Sequence, residues 1–450
     1  MVASVVLLGL VAAQVGVADG PAVSVGTPFT VAASASEGGV SSALGPDGTV
    51  WAAERRGYTE DAPFVIVAGG ADGSTLGPVS VPVAAGSVSD TPVIATSAGA
   101  ATFVWETQRN SSAGTAVAVV VSARRCTLAG CAPVQTLATW RLSEGGAVAF
   151  PTGVGVYPEP AVASVAGGTL VVFQRGGVRA PRMVWAVSEG ARFGPLHYFG
   201  VAGSWDPVLV AESGGRALAA WLNASVGDLQ PSNVIRIMWS QWSPGSGFTH
   251  PESVKAPGLA LGGESYAGGL VATPLRSGAA IAWFQRNSVT DVTHVWVARQ
   301  GRNSFSEPTS AYTGAATGLS LADADGVLAL AFNANDGRYG ADDGGPLMVE
   351  TSVDGARFGK PVELDSDTAA FPMVSVDAQG DVLASWSSQS SPPSIAQLAI
   401  APAAGSFDAP ITLGPEKFDD GPVAIDTNAS QTVVVWENAA GSVLGAAITP

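Results

Sequence analysis

Short apolar runs separated by polar turns repeat along the whole chain, and this alternation predicts strands. The runs are about four to eight residues long and are broken by Gly, Pro, Asp and Ser, which is typical of strands that are buried on both faces. No segment shows the spacing of a helix of normal length. The hydrophobic pattern therefore predicts an all-β chain.

One apolar run in each repeat closes on an aromatic residue, and this feature recurs eight times. The 382 residues from Glu54 to Trp436 hold seven intervals, which gives a period of about 55 residues, close to the length of one four-stranded propeller blade. We therefore predict an eight-bladed β-propeller, with seven blades as the alternative. The copies are Val50 to Glu54 (degenerate), Thr102 to Trp105, Leu170 to Phe173, Leu218 to Trp221, Ala280 to Trp283, Leu328 to Phe332, Leu383 to Trp386 and Val433 to Trp436.

The two ends of the chain complement each other. The last repeat stops at Val443 to Pro450, its third strand, while Pro28 to Val31 copies the fourth-strand segment Pro410 to Leu413. Unpaired strand edges leave backbone groups without hydrogen bonds. We therefore predict that the ring closes by pairing the N-terminal strand with the C-terminal blade. Because each blade packs only on its neighbours, one domain would span residues 24–450.

The N-terminal residues have the pattern of an export signal. An apolar stretch from Val2 to Ala13 is followed by small residues up to Ala18, so we interpret residues 1–18 as a signal peptide; an inner strand of the fold is the alternative. Cys126 and Cys131 lie on either side of a tight turn, where a disulfide is geometrically easy. Reduced thiols and a metal pair are the other possibilities. Export and oxidation together predict a secreted or cell-surface protein.

Charge and composition exclude some partners. The chain carries 21 Lys and Arg against 37 Asp and Glu, a net charge of −16, which opposes binding to nucleic acid or to an anionic membrane. No internal segment is long enough to span a bilayer as a helix. Only 3 histidines occur, and we predict neither a metal nor a cofactor. We expect a monomer.

One turn resembles a motif of a known family. The segment Ser352-Val-Asp354-Gly355-Ala-Arg357-Phe358 resembles the Asp-box (Ser-x-Asp-x-Gly-x-Thr-Trp) of sialidases and related secreted propellers. Ser352, Asp354 and Phe358 match, while the Thr is missing. This resemblance implies a propeller in which the box is a folding element before the outer strand. The arginine triad and the tyrosine–glutamate pair of sialidases have no identified counterpart here.

Polar residues follow the aromatic residue in most repeats, and they are the candidate binding site. If the loops after the second strands gather on one rim, charged and aromatic side chains from several blades would surround the axial channel. Three arginines there would hold an anionic ligand. The alternative is that these are solvated loops in which each arginine pairs with a nearby acid. The candidates are Arg55, Arg175, Arg286, Glu54, Glu106, Trp205, Tyr266 and Glu437.

These observations predict a secreted binding or scaffold module with a glycan or protein ligand. No catalytic residue is assigned, so enzymatic activity is not expected. Two alternatives are a divergent sialidase-like glycoside hydrolase and a structural envelope protein.

Export and oxidation are tested by one measurement. The intact mass of the natively secreted protein should correspond to a chain that begins at Asp19 and is two hydrogen atoms lighter than the dithiol form, because the signal is removed and one disulfide forms. An uncleaved N-terminus would rule out the signal peptide, and alkylation of Cys126 and Cys131 without prior reduction would rule out the disulfide.

Overall fold

The protein folds almost entirely into antiparallel strands, which confirms the predicted all-β class. The computed structural model describes residues 24–32, 40–55, 63–70, 72–83, 87–89, 92–110, 116–141, 160–176, 181–224, 234–257, 265–287, 292–301, 304–334, 345–353, 357–389, 393–402, 405–416 and 423–449. Within these ranges one 3-10 turn, Ser213–Gly215, is the only helical element. None of the described helical structure is long enough to cross a membrane. The predicted signal peptide lies outside the described residues.

The strands form seven hydrogen-bonded sheets in the described part of the chain. The first two, β1 (Ser24–Val25) and β2 (Phe29–Ala32), belong to the last sheet. Sheet 1 contains β3 (Val40–Leu44), β4 (Val50–Arg55), β5 (Phe64–Gly69) and β6 (Thr75–Val81). Sheet 2 contains β7 (Ser87–Ser89), β8 (Val93–Ser97), β9 (Ala100–Asn110), β10 (Ala116–Thr127), β11 (Gly130–Cys131) and β12 (Gln135–Arg141). Sheet 3 contains β13 (Ala161–Val165), β14 (Gly168–Arg175), β15 (Arg182–Glu189), β16 (Arg192–Phe193) and β17 (His197–Phe199).

The remaining sheets repeat this meander. Sheet 4 contains β18 (Ser204–Glu212), β19 (Arg216–Ala224), β20 (Val234–Ser243), β21 (Gly247–Phe248) and β22 (Glu252–Val254). Sheet 5 contains β23 (Ser265–Pro274), β24 (Ala279–Asn287), β25 (Thr293–Arg299) and β26 (Thr309–Thr313). Sheet 6 contains β27 (Ala316–Ala324), β28 (Val327–Ala334), β29 (Gly345–Ser352), β30 (Val362–Val376), β31 (Val382–Ser388), β32 (Ile395–Ala401) and β33 (Ile411–Pro415). Sheet 7 contains β34 (Ala424–Thr427), β35 (Thr432–Glu437) and β36 (Val443–Thr449), together with β1 and β2.

Sheet 6 consists of two halves that share one long strand. The first part of β30 pairs with β29 up to Ala369, and its second part pairs with β31 from Ala369 onward. The strand therefore serves as the last strand of one four-stranded meander and the first strand of the next.

Apolar cores fill the spaces between neighbouring sheets. Aromatic residues that end the apolar runs are central to them; Trp105, for example, meets Phe64 of sheet 1 at a ring-centroid distance of 5.0 Å. Cores join sheets 1 to 2, 2 to 3, 3 to 4, 4 to 5, 5 to 6, the two halves of sheet 6, sheets 6 to 7 and sheets 7 to 1. The described sheets are thus buried on both faces, which explains their continuous apolar runs.

The N-terminal strands pair with the C-terminal strand. Ser24 and Val25 lie opposite Thr449 and Ile448 on β36, and Phe29 lies opposite Gly445. A side-chain link joins sheets 7 and 1 as well, because the Ser42 hydroxyl donates to Asp426 Oδ2 at 2.7 Å. Burial raises the pKa of Asp426 to about 6, and this hydrogen bond opposes the shift.

The predicted disulfide is present. Cys126 and Cys131 lie directly opposite each other on β10 and β11, with their Cα atoms 4.0 Å apart. Cys126 is fully buried in the core between sheets 1 and 2. The bond closes a short loop, for which chain entropy predicts a stabilisation of roughly 2 kcal/mol.

One buried carboxyl group has no hydrogen-bond partner among the described residues. The side chain of Glu350 on β29 is 1% exposed, and neither of its oxygens is bonded there. Burial raises its pKa to about 8, so the group is protonated in the folded protein at neutral pH. Glu350 in turn contributes to raising the pKa of Tyr312, after burial.

Removing residues 24–32 tests the pairing of the two chain ends. We expect Tm to fall by several degrees, because β36 would lose both partners on one edge and expose its backbone groups. Removal of residues 19–23 alone is the control and should leave Tm unchanged. An unaltered thermal transition in the longer deletion would contradict the structural role of β1 and β2.

The variant Glu350→Gln should stabilise the protein increasingly as pH rises. The folded pKa lies above the unfolded value of 4.5, so wild-type stability is full below that unfolded value and declines until the pH passes about 8. We expect equal stability of variant and parent at pH 4.5 and a gain on the order of 3 kcal/mol at pH 8, measured by chemical denaturation. Glu307→Gln, which changes an exposed residue, should show no such trend. A gain independent of pH would contradict the assignment of a buried proton.

Candidate functional site

The three predicted arginines lie near the ends of the second strands of sheets 1, 3 and 5. Arg175 ends β14, Arg286 lies in β24 and is exposed, and Arg55 ends β4. The side chains of Arg55 and Tyr266 are outside the described residues. In the described structure Arg175 contacts Tyr198. Convergence of the three on one ligand stays a prediction.

The predicted acidic residues are buried, which differs from the expected loop position. Glu54, Glu106 and Glu437 lie within β4, β9 and β35 and are almost completely enclosed. Trp205 is buried too. In sheets 2 and 7 the second strand continues past its aromatic residue, so Glu106 and Glu437 lie in the interior and not in a rim loop. Trp205 lies in β18, the first strand of sheet 4. Ligand binding by these residues stays a prediction.

The buried polar side chains beyond the aromatic residue secure the segments between sheets. Asn223 Nδ2 donates to Ala202 O at 2.9 Å, and Gln285 Nε2 donates to Pro257 O. Asn333 Nδ2 donates to Ala369 O at 2.9 Å. Each acceptor belongs to the connection that joins one meander to another. Polar residues at these positions therefore satisfy buried backbone carbonyls.

A cluster of cationic and aromatic groups lies on one face of sheet 3. Arg175 and Arg182 are directly opposite each other on β14 and β15. The Arg175 guanidinium carbon sits 5.7 Å from the centre of the Tyr198 ring on β17, a cation–π contact. Tyr198 is 57% exposed and Arg182 is exposed. Among the described residues, no acid lies within ion-pair distance of either arginine.

Sheet 2 supplies the opposite wall. Trp140 on β12 stacks on Phe173 with ring centroids 6.5 Å apart and an interplanar angle of 12°. Phe173 precedes Arg175 by two residues on β14 and therefore shares its face of the sheet. The indole Nε1 of Trp140 is buried without a hydrogen-bond partner in the described part. We name this group of side chains, Trp140, Arg175, Arg182 and Tyr198, the arginine cleft.

A backbone contact fixes the position of this end of sheet 3. The carbonyl of Pro181, next to Arg182, accepts hydrogen bonds from the amides of Gly203 at 2.9 Å and Ser204 at 3.3 Å. The start of β15 is thereby tied to the start of sheet 4, so the Arg182 backbone is fixed before any ligand arrives.

The charge of this part of the chain is opposite to that of the whole. Residues 109–192 hold eight arginines and three glutamates and no Asp or Lys, a net charge of +5, whereas the rest of the chain carries −21. Like charges directly opposite each other on neighbouring strands destabilise a sheet. Arg175 and Arg182 therefore form a local positive field in an acidic protein.

The chemistry of these side chains suits an anionic group. Arginine offers a planar set of donors that matches a carboxylate or a sulfate, and exposed aromatic rings stack on flat ligand surfaces. No group of three His, Cys, Asp or Glu side chains that would hold a metal ion occurs in the described ranges.

Sequence reasoning identified Arg175 but missed Arg182, Tyr198 and Trp140. The sequence shows Arg175 and Arg182 seven residues apart, and a tight hairpin would have placed them opposite each other. Arg182 lies in the third strand, outside the loops considered, and this hid its relation to Arg175.

Comparison with known proteins gives similarities at low identity. No family profile and no curated protein matches the chain. Solved structures that it resembles include a Hadza microbial sialidase, with 14% identity, a TM-score of 0.40 and 73% of each chain covered. The Trypanosoma rangeli sialidase has 12% identity and a TM-score of 0.35 over 64% of this chain and 54% of that one. An ulvan lyase from a new family of polysaccharide lyases has 11% identity and a TM-score of 0.47 over 94% and 95%. Sialidases are thus among the structural neighbours at low identity, and no family assignment follows.

Proposed function

We propose that the chain is a secreted, monomeric, eight-bladed β-propeller that binds a ligand and does not turn it over. Counting the two halves of sheet 6 separately gives eight meanders. The cores between consecutive sheets, the core between sheets 7 and 1, and the pairing of β1 and β2 with β36 support a closed ring. The disulfide is in keeping with an extracytoplasmic location.

The ligand of this module is an acidic saccharide bound in the arginine cleft. The observation that carries this proposal is the cross-strand pair Arg175 and Arg182, which has no acidic partner among the described residues. Folding alone does not favour that pair, because the two cations repel each other. A bound carboxylate or sulfate would neutralise them. The exposed Tyr198 ring suits the face of a sugar ring.

Binding is favoured over catalysis because of the composition of the cleft. Glycoside hydrolysis uses two carboxyl groups about 5 to 9.5 Å apart at the scissile bond. The described residues of the cleft are arginines and aromatics, which position a ligand but offer no nucleophile with a base. The acids predicted near such a site, Glu54, Glu106 and Glu437, are enclosed in the fold.

The double variant Arg175→Ala, Arg182→Ala tests this function. We expect the parent protein to bind a hexamer of galacturonic acid, measured by calorimetry, and to bind it less tightly as salt rises. The double variant should bind at least tenfold more weakly, because two charge-assisted contacts are lost. Arg192→Ala is the matched control: this exposed arginine lies opposite Glu189, at the other end of β15 from Arg182, and its loss should leave affinity unchanged.

Two results would contradict the proposal. One is equal affinity in the double variant; the other is the absence of binding by the parent to galacturonate and sulfated oligosaccharides alike. Preference for an acidic peptide over both saccharides would assign the cleft to a protein partner. Hydrolysis of a sialoside that persists through purification would favour the glycosidase alternative.

A further inference from the structure

Four consecutive meanders carry the same irregularity in their first strand. In β18, β23, β27 and the second part of β30 the register shifts by one residue opposite the aromatic residue of the second strand. Such a shift is a β-bulge, which leaves one residue without a ladder partner. At each bulge one residue has a left-handed backbone: Asp206, Gly269, Gly318 and Phe371, with φ between 51° and 60°.

Three of these four residues suit that conformation, and Phe371 does not. Glycine has no Cβ to clash, and aspartate is enriched among the few other residues that adopt it. A bulky aromatic residue with φ of 51° is an outlier that costs on the order of 1 kcal/mol. The left-handed backbone conformation at this bulge therefore disfavours phenylalanine.

Burial does not compensate for this cost. The Phe371 side chain is 45% exposed, although the two preceding bulges carry glycine. The bulges at Gly318 and at Phe371 lie next to each other. A Cβ built on Gly318 would lie 3.0 Å from Cδ of Pro372, the residue after Phe371. Gly318, in the neighbouring bulge, is exposed as well.

From this we propose a second binding site, in which Phe371 stacks on the ring of a neutral saccharide. An aromatic face matches the C–H face of a pyranose. In the neighbouring bulge, Gly318 and Leu319 have no register partner on β28. The site lies in sheet 6 and is separate from the arginine cleft between sheets 2 and 3. The features that indicate it are backbone strain and exposure, not charge.

Three variants separate binding from folding. Phe371→Gly relieves the backbone and removes the ring, Phe371→Leu removes the aromatic face alone, and Phe371→Tyr keeps it. The probes are neutral hexaoses of glucose, mannose, xylose and galactose, with binding followed by calorimetry and saturation-transfer NMR. We expect at least one hexaose to bind the parent, Phe371→Tyr to retain that affinity, and both Phe371→Gly and Phe371→Leu to weaken it about tenfold. Tm of Phe371→Gly should match or exceed that of the parent.

The proposal fails if no hexaose binds the parent or if Phe371→Gly binds as tightly as the parent. It also fails if Phe371→Gly lowers Tm by several degrees, since the ring would then be a packing residue. The double variant of the arginine cleft should bind the neutral hexaose normally. Binding of the neutral hexaose by this double variant distinguishes failure of the Phe371 site from failure of the proposed acidic-ligand function.

Discussion

The packing of one sheet face on the next is the interaction on which everything else in this molecule depends. No sheet here has a core of its own: each contributes an apolar face to two neighbours, with Trp51, Trp221, Trp283 and Trp386 fully buried between them. Alanine and valine dominate the rest of these interfaces, so the sheets approach closely and the large rings fill the remaining space. The stability of each meander is therefore inseparable from that of its neighbours.

This packing determines where polar chemistry is tolerated. Polar side chains that enter the interior, such as Asn223 and Asn333, do so where a connection between sheets presents a carbonyl group. Glu350 enters without such a partner in the described structure, and it retains its proton instead. The arginine cleft and the Phe371 bulge differ from both cases, because there polar or strained groups are held at the surface without an intramolecular reason.

The overall fold was readable from the sequence because its causes are periodic. The fold depends on features that recur at regular spacing, and regular spacing is visible in a sequence. These features are the repeated aromatic residues, the turn residues, and the likeness of residues 28–31 to residues 410–413. The disulfide was readable because its cysteines are five positions apart. The burial of Glu54, Glu106 and Glu437 could not be read from the sequence, because a polar residue after an apolar run marks either the end of a strand or a buried hydrogen bond. The roles of Arg182 and Phe371 could not be predicted either. The first depends on strand register and the second on a backbone angle, and neither composition nor periodicity records these.

The pairing of β1 and β2 with β36 has a consequence for how the protein is made. Synthesis proceeds from the N-terminus, so residues 24–32 find their partner only after residues 443–449 have been made. Earlier meanders can pack on one another as they appear, whereas sheet 7 assembles only once β36 is present. A chain that stopped before β36 would leave β1 and β2 unpaired, so this pairing distinguishes molecules that contain β36 from those that lack it.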